Sequence, residues 1–359
     1  MTRAADLLAR LPIPIIQAPM LGASSYEMAR AVGAVGGLGS LASAGSAPDE
    51  IEADAARMRA DLGDAPFAMN LFVLGRAEPP ADEVDRAIAR LAPWRAELGL
   101  PEPAAPNSFA PDFTAQFEAV VRAAPPVASF AFDTLTPEQV ATLQARGTLV
   151  FGTATTVAEA RAWAAVGADA VVAQGYEAGG HRGHFLAPVD KSLVGTLALV
   201  ATIRRSVEVP VIAAGGIMDG QGVAAALALG ASAVQMGTAF LLADETAISA
   251  PWRDAVATAE DEATALTRAF SGRHARGLEN RFMREMRAVE DEVPAYPVQN
   301  RLTRELRAEA AKAGVADMLS LWAGQAVTLA TPGASGVLVQ RWWAEARAAS
   351  DRLGDMVRR

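Results

Sequence analysis

The 359-residue sequence predicts an α/β fold: a (β/α)8 TIM barrel with an insertion after the third strand and a helical C-terminal extension. Two observations carry the prediction. Eight short apolar runs recur along the chain, separated by stretches with helix signals. In addition, "VGADAVVAQG" and "LGASAVQMGT", aligned on Gly167 and Gly230, repeat one pattern of helix end, glycine turn, strand and glycine-bearing strand exit.

In chain order the runs are "IPIIQAPM" from Ile13, "GGLGSLA" from Gly36, "PFAMNLFV" from Pro66 and "VASFAF" from Val127. They continue with "TLVFGTAT" from Thr148, "DAVVAQG" from Asp169, "VPVIAAGG" from Val209 and "SAVQMGTAF" from Ser232. Each is continuously apolar, as a parallel strand is when helices cover it. Between them, Thr136-Pro137 with Gln139 reads as an N-cap, a first-turn proline and a capping-box partner. Thr156 with Glu159 repeats the box, and Gly167 stops the helix that follows. No residue from Gly220 to Ala243 is charged, a length that suggests a membrane span. Gly230 interrupts it and Gln235 and Thr238 are polar, so a buried helix, a glycine stop and a strand are expected instead.

Two parts exceed a minimal barrel. Gly75 to Pro126 is long for one connection, and its proline-rich centre "GLPEPAAPNSFAPDF" predicts an irregular loop. After Ala243 the pattern is mainly helical, so residues 1–243 read as barrel and 244–359 as an extension packed on or over it.

Composition narrows the function. The chain is 51% hydrophobic and 20% charged, enough for a large core. Its net charge of -9 argues against nucleic-acid and anionic-membrane partners. The absence of cysteine excludes disulfides, zinc–cysteine sites, iron–sulfur clusters and a cysteine nucleophile. "MTRAADLLARLPIPIIQAPM" intersperses charge with apolar residues and shows no cleavable leader, so a cytoplasmic location is expected.

Barrel enzymes work at the C-terminal ends of their strands, with phosphate commonly held after strands seven and eight. Those ends read "AAGGIMDG" and "QMGTAF". Gly215 and Gly216 can present backbone N–H groups, a helix start beyond them would favour an anion, and Gly237 and Thr238 offer a second close approach with a hydroxyl. One Gly-Gly pair is explained by a chain turn; two glycine sites at successive strand ends favour a phosphate.

The sixth run leads into "QGYEAGGHRGH", which holds two of the chain's three histidines. Gln174 can donate and accept, Gly179 and Gly180 permit tight passage beside a flat ligand, and His181 is the candidate proton-transfer residue. His184 reads as structural and Glu177 as a loop anchor; with no clear carboxylate partner for the histidines, no metal is assigned. Met20 and Gly22 follow strand one. Asn70, a polar residue in an apolar run, needs either a ligand or neighbouring backbone as partner. Ser129 on strand four and Tyr296 are pocket candidates, though a buried tyrosine is equally ordinary.

At these residues the sequence resembles the nitronate monooxygenase family, formerly the 2-nitropropane dioxygenases, in its class I branch. The matching stretches are "QAPM" at Gln17, "NLF" at Asn70, "AQGYEAGGHRG" at Ala173, "AAGGI" at Ala213 and "QMGTAF" at Gln235. "FSGRHARG" at Phe270, "YPVQNRLT" at Tyr296 and "WAGQ" at Trp322 extend it through the C-terminal region. "QAPMLGAS" departs from the family pattern at Leu21 and Ala23, where a smaller residue and a second glycine are common. The resemblance implies non-covalently bound FMN in a TIM barrel. Asn70, Gln174, Gly179, Gly216 and the residues Gln235, Met236, Gly237 and Thr238 match cofactor-contacting positions, and His181 matches the catalytic base. It also implies oxidation of alkyl nitronates, such as propionate 3-nitronate, and of nitroalkanes by O2. FMN-dependent enoyl-acyl-carrier-protein reductases and NADH:quinone reductases share the loop and would consume NAD(P)H. A non-oxidative phosphate-binding barrel, an aldolase or isomerase, would be colourless.

Overall fold

The computed structural model describes residues 2–101 and 103–358. Each apolar run contains one parallel strand: β1 (Ile15–Gln17), β2 (Gly39–Ala42), β3 (Phe67–Phe72), β4 (Val127–Ala131), β5 (Leu149–Ala154), β6 (Ala170–Gln174), β7 (Val211–Ala214) and β8 (Ala233–Met236). Every strand from β2 to β8 pairs with its sequence neighbour, and β8 pairs with β1. Beside β1, Leu38 N donates to the Ile15 carbonyl (3.0 Å) and the Leu38 carbonyl accepts from Gln17 N (2.9 Å), which closes the barrel.

Strand periodicity explains why the runs do not alternate. In β6, Ala170 and Val172 face the barrel interior with Ile16, Phe151 and Ile212, whereas Val171 and Ala173 join the layer beneath the helices. Both faces are buried, so both must be apolar. The amphipathic helix Arg3–Arg10 adds Ala4, Leu8 and the following Leu11 to the interior cluster.

The surrounding helices are α1 (Tyr26–Ala34), α2 (Pro48–Leu62), α3 (Phe113–Ala123), α4 (Pro137–Ala145), α5 (Val157–Ala165), α6 (Thr196–Arg204) and α7 (Gly220–Ala228). The capping box at α4 forms in both directions: Gln139 N donates to Thr136 Oγ1 (3.2 Å) and Thr136 N to Gln139 Oε1 (2.9 Å). At α5 only half forms. Glu159 N donates to Thr156 Oγ1, but the buried Glu159 carboxylate accepts from Thr155 and from the amides of Phe185 and Leu186. This carboxylate ties the start of α5 to the end of the glycine–histidine loop.

The long third connection contains a helix, Ala81–Glu97, and α3, with irregular chain at 98–101 and 103–112 as the prolines predict. The region after residue 243 has two fates. Its last helix, α8 (Ser335–Val357), packs on α7 and α1 and takes the place of the eighth barrel helix. Between Ala243 and α8 the chain reaches over the C-terminal ends of the strands. It is not purely helical: Thr264–Thr267 and Ala275–Leu278 pair antiparallel, and the second pairs with Gly180–His181. The pairing of Ala275–Leu278 with Gly180–His181 joins segments about ninety positions apart and so leaves no local pattern to read. Among the described residues no helix is long and apolar enough to cross a membrane.

Candidate active site

A cavity of about 870 Å3 opens at the C-terminal ends of the strands. The loop after β1 supplies Met20 and Gly22, β3 supplies Asn70, and β6 with its loop supplies Gln174, Gly179, Gly180 and His181. The exits of β7 and β8 add Gly215, Gly216, Gln235, Gly237 and Thr238, and Tyr296 and Trp322 close the wall from the C-terminal region. Two sequence candidates do not line it. Met236 shares the parity of Val234, which turns its side chain into the layer beneath the helices, where it is 1% exposed. Ser129 sits beside Asn70 in register and serves it, since Asn70 Nδ2 donates to the Ser129 hydroxyl (3.0 Å) and carbonyl (3.1 Å). Asn70 Oδ1 has no partner among the described residues.

At the β7 exit, Gly215 and Gly216 have φ of 112° and 70°, a left-handed run that side chains oppose. The expected help from the following helix is not there. Gly222 N at the start of α7 donates to Asp219, and Gly220 N donates to Glu345 (3.0 Å), so carboxylates occupy that terminus. An anion must be held by the loops. Thr238 Oγ1 accepts from Gly324 N (2.9 Å) and gives its own proton to no described acceptor. The buried indole N–H of Trp252, another wall residue, also lacks an acceptor among the described residues.

The β6 loop is braced from several sides. Glu177 anchors it, accepting from Thr196 N (2.9 Å) and Oγ1 (2.8 Å) at the start of α6. Gln174 spends its amide on the loop itself, donating to the His181 carbonyl (3.0 Å) and accepting from Gly183 N (2.8 Å). Arg182 is fully buried and donates to the Gln174, Gly175 and Ser192 carbonyls. Gly179 is narrow for a reason other than a ligand: a Cβ there would meet Ala323 and Gly324 backbone at 2.6 Å. Gly180 has open space but a φ of 72°.

His181 is half-buried at the cavity wall. Its Nε2 lies 2.9 Å from Ser271 Oγ, and the rings of Tyr296, Trp322 and Phe132 stand 5.3, 5.5 and 5.8 Å away. Desolvation, reinforced by the Arg273 and Arg307 guanidiniums, pushes its pKa down to about 3, which keeps the imidazole neutral. Tyr296 is pushed up to about 12 by burial and stays a phenol. Phe132 holds a φ of 85°, a strained value for a bulky residue, and its ring carries the Arg273 guanidinium at 4.1 Å.

The family model for nitronate monooxygenase matches residues 5–343. The chain belongs to the nitronate monooxygenase family. It is 40% identical to a probable nitronate monooxygenase of Staphylococcus aureus (strain Newman) over 89% of this chain and 90% of the relative. A probable nitronate monooxygenase of Staphylococcus saprophyticus is 37% identical over 94% and 96%. Among solved structures, nitroalkane oxidase from Streptomyces ansochromogenes superposes with a TM-score of 0.89 at 41% identity, covering 97% of this chain and 99% of that one. FabK from Thermotoga maritima follows at a TM-score of 0.76 and 28% identity, covering 99% of both chains. As a nitronate monooxygenase family member, the chain is an oxidoreductase.

The charge of this nitronate monooxygenase family cavity is opposite to that of the chain. Arg301, Arg304 and Arg307 line it, with no aspartate or glutamate among the described wall residues, in a protein of net charge -9. None of the three pairs with a described carboxylate; Arg307 is held by Asn300, Thr303 and Ser320. Sequence reasoning missed these arginines, together with Ser271, Arg273 and the loop brace Arg182. "FSGRHARG" flagged the stretch around Ser271, but nothing in its spacing says which residue it meets ninety positions away. Among the described residues no three histidine, aspartate or glutamate side chains are placed to hold a metal ion.

Proposed function

We propose that this protein binds FMN in the cavity and oxidises alkyl nitronates with O2, accepting neutral nitroalkanes through proton abstraction by His181. The observation that carries the reading is a cationic, carboxylate-free cavity with a neutral imidazole in its wall. Such a site favours an anionic substrate and keeps the imidazole unprotonated, with a lone pair free to accept a proton, at neutral pH.

The residues present suit a flavin mononucleotide. Gly215, Gly216 and Gly237 line the cavity with no side chain of their own to keep a phosphate from the backbone, and Thr238 keeps a proton to donate. Asn70 Oδ1 and the Trp252 N–H offer further polar contacts. When bound, the flavin supplies the electron transfer between substrate and oxygen. The chain's own part is to orient substrate against it, to attract the nitronate through Arg301, Arg304 and Arg307, and to hold the proton taken from a nitroalkane carbon on His181. The rings of Phe72, Phe132, Tyr296 and Trp322 surround the imidazole with apolar surface.

FabK stands for a second reading, an NAD(P)H-dependent flavin reductase, which the shared fold supports at lower similarity. Anaerobic mixing of the purified protein with a nitronate, NADH or NADPH separates the two. Bleaching of the flavin spectrum by the nitronate alone is expected. Bleaching by a reduced nicotinamide and not by the nitronate would establish the reductase reading instead.

A further inference from the structure

We propose that Ser271 is a positioning residue that sets the tautomer of His181: Nε2 carries the ring proton, and Nδ1 is the nitrogen that receives the substrate's proton. The inference rests on the reading of His181 as the base and specifies how that base is made ready.

Ser271 is 1% exposed, and its hydroxyl donates to the Arg273 carbonyl at 3.0 Å. A serine hydroxyl has one proton and two lone pairs. With the proton committed, Oγ faces His181 Nε2, 2.9 Å away, with a lone pair, and the contact is attractive only if Nε2 carries hydrogen. Arg273 N approaches the same oxygen at 3.4 Å as a second donor. The reverse arrangement, with Ser271 donating to Nε2, would leave the Arg273 carbonyl without its only described donor and set it against an oxygen lone pair.

The backbone keeps this arrangement in place. Gly272, between the two residues, has a φ of 78°, and a Cβ on it would strike the Pro294 carbonyl oxygen at 2.0 Å. Four residues beyond Ser271, Ala275 pairs with His181 itself. The turn and the loop it serves are therefore tied to one register.

No other described donor or acceptor contacts either ring nitrogen. The charged and titratable groups facing the ring are Arg273, Arg307 and Tyr296. Arg273 donates to the Arg182 and His184 carbonyls, and Arg307 to Asn300, Thr303 and Ser320, so neither guanidinium claims Nδ1. The carbon–hydrogen bond of a nitroalkane then breaks toward Nδ1. The electron pair becomes the C=N bond of the nitronate, with its charge on the nitro oxygens, and the imidazolium retains its Nε2–H on Ser271.

The flavin-loaded protein, labelled with 15N-histidine, tests the assignment by long-range proton–nitrogen correlation near neutral pH. Only three histidines contribute, and His181→Asn identifies the signal. A neutral ring with Nε2 protonated and Nδ1 bare is expected; the opposite tautomer or an imidazolium overturns the proposal. Ser271→Ala should move the signal toward mixed tautomers and lower kcat/KM for nitroethane by roughly five- to tenfold, the worth of one hydrogen bond. Turnover of the preformed nitronate should hold. Ser271→Thr, which keeps the hydroxyl, should restore both readouts, and an unchanged spectrum in Ser271→Ala overturns the proposal. If that variant fails to fold, the parent spectrum decides. The spectrum reads the tautomer whether or not His181 proves to be the base, so failure of one reading is distinguishable from failure of the other.

Discussion

Gly179 lies against Gly324 so closely that a Cβ on Gly179 would come within 2.6 Å of the Gly324 nitrogen. Gln325 N also donates to the Glu177 carbonyl at 3.0 Å, so the "WAGQ" segment packs on the His181 loop backbone to backbone. The C-terminal region thus shapes the cavity by pressing on the loop that carries its imidazole.

Gly179→Ala is expected to destabilise the fold by about 1–3 kcal/mol, the usual cost of overpacking, and to impair flavin retention by displacing 322–325. Gly180→Ala meets open space and should cost only the left-handed backbone penalty, about 1–2 kcal/mol, with retention intact. Urea unfolding and flavin content measure both. Equal retention in the two variants would show that this packing does not support the cofactor site.

His181→Asn should lower turnover of neutral nitroethane by roughly 10²–10⁴-fold, the range of general-base catalysis. The preformed nitronate has already lost its proton and should be affected far less. Flavin content must be matched between samples. Equal losses on both substrates would assign His181 to binding geometry instead.

Stability should fall with acid partly because of this histidine. Its folded pKa, about 3, lies below the ordinary 6.5, so between these values the unfolded chain binds a proton that the folded chain refuses. The contribution is intact above pH 6.5 and declines as pH falls through that window. The drop in Tm from pH 7 to pH 5 should therefore be smaller in His181→Asn than in the parent. It should not vanish, because burial also lowers the pKa values of His184 and His274.

The purified protein should be yellow and should release FMN, not FAD, on heating. Thr238→Val removes a hydroxyl proton and should weaken FMN binding by about 1.5–3 kcal/mol, the worth of a hydrogen bond to a charged group. Gly216→Val should weaken it as well, since it obstructs the loop and strains a φ of 70°. If both variants fold and retain FMN as tightly as the parent, the phosphate lies elsewhere.

Arg301→Gln and Arg304→Gln should raise KM for nitronates about two- to fivefold at low salt, the modest effect of guanidiniums partly screened by water. The KM for neutral nitroethane should stay constant. Steady-state kinetics at two ionic strengths checks this, and equal shifts for both substrates would argue against charge attraction.

The barrel was legible in the residue order alone. Its strands are buried on both faces and so print uninterrupted apolar runs, while caps such as Thr136 and stops such as Gly167 act within a few residues of themselves. The same locality made the strand-end glycines and His181 readable, because the barrel rule converts a position after a strand into a position in the mouth. The contacts that could not be read this way join segments far apart in the chain. Ser129 holds Asn70 instead of lining the cavity because register sets them side by side, and Met236 turns away by strand parity. Ser271 meets His181, Gly324 presses on Gly179, and α8 returns to fill the barrel wall through packing that no window of sequence contains. Local propensities and short periodicities are properties of neighbouring residues; a hydrogen bond across ninety positions depends on how the whole chain has already folded.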